Sequence, residues 1–173
     1  MKQVLVREMK SKDIDAVINI YTEVFDEAYV GFGELSLGMG IAPGIPSEAA
    51  PSLFREELHS LLCNPSSNGL FVAIHEVEVI GFAVAALHSN DNGAGLECWL
   101  NDIGVSQSCQ GFGVGKKLVD KVFTWAFQEK GASYCLLESG IKNETAHKFF
   151  EHMEFQPISV VFWKGSNDLS NKD

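Results

Sequence analysis

The residues whose types and spacing could do chemistry lie between Asn101 and Lys117, NDIGVSQSCQGFGVGKK. A short β-type run (Asp102 to Val105) leads into a polar turn (Ser106 to Gln110). A glycine cluster follows at Gly111, Gly113 and Gly115, with Lys116 and Lys117 beside it. An apolar stripe then starts at Val114 and runs through Leu118, Val119, Val122, Phe123 and Ala126, which predicts a helix. The order is strand, glycine-rich turn, helix. The first turn of a helix carries backbone N–H groups without intrahelical partners and the positive end of the helix dipole. Glycines there let an anion, typically a phosphate, approach the backbone. The stretch therefore predicts an anion site, with a ligand-free αβ turn as the plain alternative. Two familiar phosphate loops do not fit. A Walker A loop needs G-x-x-x-x-G-K-[ST], but Gln110 stands at its first glycine and Lys117 at its Ser/Thr; a dinucleotide fingerprint needs a third glycine where Lys116 stands.

Composition narrows the classes. A chain of 173 residues suggests one domain with a real core, expected over 1–165 with a polar, fraying tail over 166–173. With 13 basic and 23 acidic residues the net charge is −10, which argues against a nucleic-acid partner and would steer a cationic one inward. Cys63, Cys98, Cys109 and Cys135 form no C-x-x-C pair and no zinc-ligand spacing, so no metal is expected and reduced, cytoplasmic thiols are the simplest reading. The start, MKQVLVREMK, is too short and too charged for a signal peptide. No apolar run approaches the roughly 20 residues of a membrane span.

The elements that must position these residues follow from periodicity. Gln3 to Arg7 alternates and predicts a strand. Ser11 or Asp13 can cap a helix with Ile14, Val17, Ile18, Tyr21, Val24, Phe25 and Ala28 on its buried face. Tyr29 to Pro46 is glycine-rich and aperiodic, a long loop of the kind that carries function, with room for a short helical piece. A helix near Glu48 to Leu62 can take Pro51 only in its first turn. Leu70 to Ile74 and Val79 to Leu87 predict a hairpin, Ser89 to Gly95 a turn, and Leu96 to Val105 the strand before the glycines. A helix over 113–130 ends at Gly131. A strand over 134–138, a helix over 143–153 and a closing strand over 157–164 complete the chain. Only the connection through the 113–130 helix suits a parallel crossover, so the fold class is α/β with a mixed, largely antiparallel sheet and one parallel pair.

Gln110, Gly113 and Gly115 match a third template, Q/R-x-x-G-x-G/A, the coenzyme A pyrophosphate loop of the GNAT superfamily of N-acetyltransferases, which the chain resembles. The order of elements is also that of the superfamily. A second superfamily pattern, L-E-x-x-x-x-N-x-x-A-x-x-F-Y-E-x-x-G-F, is matched by Leu137, Glu138, Asn143, Ala146, Phe149, Glu151 and Phe155. Phe150 replaces its tyrosine and Glu154 its glycine.

The resemblance implies that strands 100–105 and 134–138 splay apart around acetyl-CoA. Its pantetheine would pair with the backbone of Ile103, Gly104 and Val105, as an added strand does. Gln110, Gly111, Phe112, Gly113, Val114, Gly115 and Lys116 would hold the pyrophosphate, and Asn143 the pantetheine. A backbone N–H of the splayed strand would hold the developing oxyanion, with no covalent enzyme intermediate. An attacking amine, of pKa near ~10.4 when lysine-like, needs a base. Glu138 is the first candidate, because the Glu at this place serves as base in several superfamily members; Asp102 is second and Glu97 weaker. The usual acid is the tyrosine replaced by Phe150, and Tyr134, Cys135 and His147 are weak substitutes, with water as another route.

The end FQPISVVFWK is similar to the closing strand of some aminoglycoside 6′-N-acetyltransferases. With the charge, this makes a cationic small amine, a polyamine or an aminoglycoside, the leading acceptor. Tyr29, Phe32 and Glu34, with Asp26 and Glu27 just before, supply the aromatic faces and carboxylates that an ammonium suits. A protein N-terminus or lysine, and a non-catalytic acyl-CoA sensor, are the alternatives. Many superfamily members are homodimers, which extends to this chain as an expectation.

Overall fold

The computed structural model of the chain describes residues 4–90 and 95–166. Strand β1 (Val4–Glu8) and a 3₁₀ turn (Ser11–Asp13) lead into α1 (Ile14–Val24). A short α2 (Phe32–Ser36) and a small hairpin, β2 (Gly40–Ala42) with β3 (Ile45–Pro46), interrupt the expected long loop. Helix α3 (Ala50–Leu62) follows, then β4 (Asn68–His75), β5 (Glu78–Asn90) and β6 (Gly95–Val105). Helix α4 (Val114–Phe123) runs into a π-helical turn (Thr124–Glu129) before β7 (Tyr134–Leu137) and α5 (Glu144–His152). The large sheet has the order β1-β4-β5-β6-β7. Neighbours are antiparallel except β6 and β7, which are parallel, as the crossover through α4 requires.

Each face of the sheet carries its own core. On one, Val114, Leu118, Val122 and Trp125 pack on Ala83, Ala85, Cys98 and Leu100. The small alanines of β5 let α4 come close. On the other, Val17 and Tyr21 of α1 and Phe54 and Leu58 of α3 pack on Val72, Phe82 and Val84. The i, i+3, i+4, i+7 stripe of α1 is buried as its periodicity predicts. The helix stops at Val24, because Phe25 is extended (φ −80°, ψ 101°), so Phe25 and Ala28 lie beyond it; Phe25 still stacks on Tyr21 at 4.7 Å. Asp13 does not cap α1. It takes two hydrogen bonds from Arg7, at 2.7 and 2.9 Å, which hold its carboxyl below the usual range and tie β1 to the helix.

The pairing of β5 with β6 holds a one-residue irregularity. Ala85 faces Leu100 and Val84 faces Asp102, so Asn101 is an extra residue, a β-bulge. Before it, Cys98 and Leu100 point to the α4 core; after it, Ile103 and Val105 do. Asp102 thereby turns to the opposite face, opposite Val84 of the α1/α3 core. Unbroken alternation would have put this carboxylate among the leucines and valines under α4.

One expected element is absent. Residues 157–164 form no strand, and every residue of 156–164 is exposed. Strand propensity is realised only by backbone pairing, and no described strand lies against this segment. Phe155, just before it, is fixed against the Phe123 and Phe150 rings at 5.7 and 5.8 Å. The 113–130 helix is confirmed with a change of pitch at Thr124, and Asn143 caps α5 from outside it. The middle of the expected 89–95 turn, Gln3 and the tail from 167 lie outside the described residues; β5 runs to Asn90 and β6 resumes at Gly95.

Candidate active site

β6 and β7 pair over a short stretch, from Glu97 with Tyr134 to Leu100 with Leu137. β6 then continues to Val105 with no described partner on its β7 side. The bulge at Asn101 falls where pairing ends, and bulges bend and twist the strand that carries them. Past that point the backbone of Ile103, Gly104 and Val105 lies along an edge of β6 with no described strand partner, as the expected splay would leave it.

At the far end of β6 the chain turns tightly. Gln110 Nε2 donates to the Val105 carbonyl at 3.1 Å and closes the turn. Glu23, at the end of α1, accepts from the Gln107 N–H at 2.8 Å and the Ser106 hydroxyl at 3.1 Å, fixing the turn to the helix. Nothing local in the sequence points to Glu23, since its partners lie more than eighty residues away. Gly111 (φ +78°) and Gly113 (φ +76°) both adopt the left-handed conformation that favours glycine, with open space where a side chain would be. Gly113 is the N-cap of α4, so the first-turn N–H groups face that space. Gly115 has a different role: a Cβ there would fall 3.2 Å from the Phe149 ring, so it lets α4 and α5 approach. Phe112 is exposed. Lys116 pairs with Asp120 at 2.8 Å along the helix instead of pointing back at the glycines.

The 29–46 segment spans the open end of the splay and touches both strands. The Tyr29 hydroxyl donates to Asp102 Oδ1 at 3.0 Å on β6. The Phe32 N–H donates to Glu138 Oε1 at 2.6 Å, one residue past β7. Glu34 folds back to accept from the Gly31 N–H at 2.7 Å. Between them lies a cavity of about 80 Å³, lined by Tyr29, Glu34, Ile103, Glu138, Asn143 and Phe150. The Phe32 side chain does not line it and is exposed. Asn143 spends its Oδ1 capping α5 through the Ala146 N–H, at 3.2 Å. Ser139 also lines the cavity, and its buried hydroxyl has no described partner. Its place beside Glu138 is the one signal that could have found it. A larger open groove, about 600 Å³, runs between α1 and the β4–β5 hairpin around Arg7 and Asp13; none of the expected site residues lines it.

The carboxylates differ sharply in environment. Asp102 is 9% exposed, sits behind Tyr29 and does not line the cavity. Burial pushes its pKa up to about 7, with the Glu57 and Glu34 charges adding and the Tyr29 hydrogen bond opposing. Burial also raises Glu34 and Tyr29. Glu57 of α3 is raised by burial and has a carboxylate oxygen with no described partner, a contribution the sequence does not reveal. Tyr134 and Glu97 bond to each other at 2.6 Å at the closed end of the splay, away from Glu138. Cys135 lies opposite Cys98, and His147 is half-buried on α5. Phe150 lines the cavity and has no proton to give.

Asp102 carries a stability consequence. Its folded pKa, about 7, lies above the unfolded value of ~3.9. The folded state binds the proton more tightly, so this group's contribution is full below pH ~4 and is lost as pH rises through 7. Asp102→Asn should therefore melt higher than the wild type above pH 7, with the gap narrowing toward pH 4. Melting curves across that range test it, and a pH-independent gap would count against a titrating buried carboxyl.

Among the described residues no group of three or more His, Cys, Asp or Glu side chains could hold a metal ion, and no helix is long and apolar enough to cross a membrane. Comparison with known proteins gives a consistent result. Residues 39–155 match the model of the acetyltransferase (GNAT) family. An uncharacterised N-acetyltransferase of Methanocaldococcus jannaschii is 24% identical over 157 residues, covering 91% of this chain and 81% of that protein. Among solved structures, an aminoglycoside acetyltransferase from an uncultured soil metagenomic sample superposes with a TM-score of 0.64 at 18% identity, over 94% of this chain and 95% of that one. The aminoglycoside 6′-N-acetyltransferase of Acinetobacter haemolyticus gives 0.70 at 14% identity, over 94% and 97%.

Proposed function

The chain belongs to the acetyltransferase (GNAT) family and is an acetyl-transferring enzyme whose family uses acetyl-CoA, and on that premise we propose that it acetylates a primary amine of a small cationic molecule, a polyamine or an aminoglycoside-like compound. The observation that carries this reading is the 29–46 segment. It sets Tyr29, Glu34 and Glu138 around one cavity with Asp102 behind, so an acceptor entering there meets an aromatic ring and two carboxylates. The aminoglycoside acetyltransferases among the structural relatives agree with a small-molecule amine.

The residues present fit acetyl-CoA. The left-handed Gly111 and Gly113 leave the first-turn N–H groups of α4 open to a pyrophosphate. The free edge of Ile103, Gly104 and Val105 offers backbone groups to an extended arm. Asn143 keeps its amide N–H groups for that arm, and the Ser139 hydroxyl is a further donor. When bound, acetyl-CoA supplies the acyl group in activated form, as a thioester. A backbone N–H on the β6 edge holds the carbonyl oxygen as charge builds on it. Glu138 lines the cavity and takes the proton from the ammonium of the acceptor, making the amine nucleophilic. Asp102 acts from behind, orienting the Tyr29 hydroxyl and adding negative charge that holds the cation. With Phe150 in place of a tyrosine, the leaving thiolate, of pKa near ~8.5, leaves unprotonated or takes its proton from water.

The test is a screen of amines with acetyl-CoA, read by release of free thiol. Polyamines and aminoglycosides should be turned over. With a net charge of −10 on the protein, their kcat/KM should fall as salt rises, more for a multiply charged acceptor than for a monoamine. Kinetics independent of salt, or a preference for neutral or acidic acceptors or for peptide termini, would overturn the cationic small-molecule reading.

A further inference from the structure

The Ser139 hydroxyl is buried and has no hydrogen-bond partner among the described residues. Buried polar groups without partners are rare in folded proteins, and a catalytic role is one of the few reasons to keep one. Ser139 lines the same cavity as Glu138. Two successive residues can do so because β7 ends at Leu137, and past it the chain no longer sends alternate side chains to opposite faces.

The other polar groups of the lining are of a different kind. Tyr29 commits its hydroxyl to Asp102. Glu34 and Glu138, when ionised, can only accept. Among the described residues of the lining, Ser139 is the one with a hydroxyl still free to donate. The cavity, about 80 Å³, has room for two or three groups of water size, at ~30 Å³ each. Whatever reacts beside Glu138 therefore lies close to Ser139 as well.

Transfer of an acyl group from a thioester ends with charge on sulfur. The C–N bond forms at the carbonyl carbon, the C–S bond breaks, and the bonding pair leaves on sulfur. Phe150, Ile103 and Ala146 on the cavity wall have no side-chain donor to meet that charge, and an anion left unmet in apolar surroundings is costly. Nitrogen and sulfur are bonded to the same carbon as one arrives and the other leaves, so the groups that serve them must be neighbours. Glu138 and Ser139 are. We propose that Ser139 is a further catalytic residue, whose hydroxyl hydrogen-bonds the leaving sulfur and holds it as a thiolate. It does not protonate it. A serine hydroxyl is a far weaker acid than a thiol of pKa near ~8.5, so sulfur takes its proton from water. The ammonium loses two protons in all: Glu138 takes the first, and water the second once the C–N bond has formed. The assignment rests on acetyl transfer at this cavity and not on which amine is the acceptor.

Free CoA and desulfo-CoA, which lacks the thiol, are the probes. The near-ultraviolet thiolate absorbance of bound CoA, taken as the difference between the two complexes, should titrate at lower pH than that of CoA in solution. Ser139→Ala should move it back. Near pH 8.5 the same variant should weaken CoA by roughly tenfold and leave desulfo-CoA unchanged, which also shows that the fold and the rest of the arm's contacts are intact. With any amine that the wild type turns over, kcat should fall by roughly tenfold while KM for acetyl-CoA holds. Equal losses for the two probes would make Ser139 a contact of the arm and overturn the assignment. So would a thiol that titrates alike in wild type and variant, or an unchanged kcat. A wild type that binds neither probe would overturn the acetyl-CoA site itself, and the assignment with it.

Discussion

Gly113→Asp should abolish acetyl-CoA binding while leaving the fold in place. The wild type should melt higher in the presence of acetyl-CoA, by mass action on the folded state; at about a hundredfold excess over Kd the gain is ~2.7 kcal/mol. Gly113 is the left-handed N-cap of α4, beside open space. An aspartate there would turn its carboxylate onto the first-turn N–H groups, as N-cap acids do, and so fill and charge the place where a pyrophosphate should sit. The cap partly offsets the strain of a side chain at φ +76°, so basal stability should move little. Gly113→Ala separates the two effects, adding the strain without the charge, and should weaken binding far less. Equal acetyl-CoA shifts in wild type and Gly113→Asp would remove this loop from the site.

Glu138→Gln should lower turnover by roughly 10²–10⁴ with acetyl-CoA affinity nearly unchanged. Glutamine keeps an oxygen to accept the Phe32 N–H, so the contact between the 29–46 segment and the end of β7 survives. What is lost is the capacity to take a proton. The deficit should shrink at high pH, where more of the acceptor is already neutral. Asp102→Asn differs in kind: it should flatten a limb of the pH–rate profile near pH 7, the value to which burial lifts this carboxyl. Undiminished turnover in Glu138→Gln would transfer the proton to Asp102 through Tyr29, or to water.

The sequence was most legible where function rests on local order. Gln110, Gly111, Gly113 and Gly115 follow a strand and open a helix, and the structure puts Gly113 at the N-cap of α4, Gln110 and Gly111 in the turn before it and Gly115 in its first turn. Periodicity placed α1, α3, α4 and α5 because each buries one regular face. Tyr29, Glu34, Asp102 and Glu138 were each readable as candidates, but not as a group. Their meeting depends on an aperiodic loop reaching across a splay, and contacts of that separation leave no local trace. Glu23 and Glu57 escaped for the same reason. Residues 157–164 misled in the opposite way: their pattern is that of a strand, but a strand needs a neighbour, and no described strand lies against this segment.

The extra residue at Asn101 gives β6 two phases. Side chains upstream of it keep one beat of the in-and-out alternation, and those downstream keep the other. Position 101 is thus sensitive to its presence more than to its identity, since its exposed side chain can change at little cost to either core. Losing that single codon would force one half of the strand to turn over. Either Asp102 would be driven under α4, with Ile103 and Val105 thrown to the face of Tyr29, or Cys98 and Leu100 would leave their core. In this strand a one-residue deletion behaves like a frameshift read by the fold instead of the ribosome: every other letter survives, and one half of them points the wrong way.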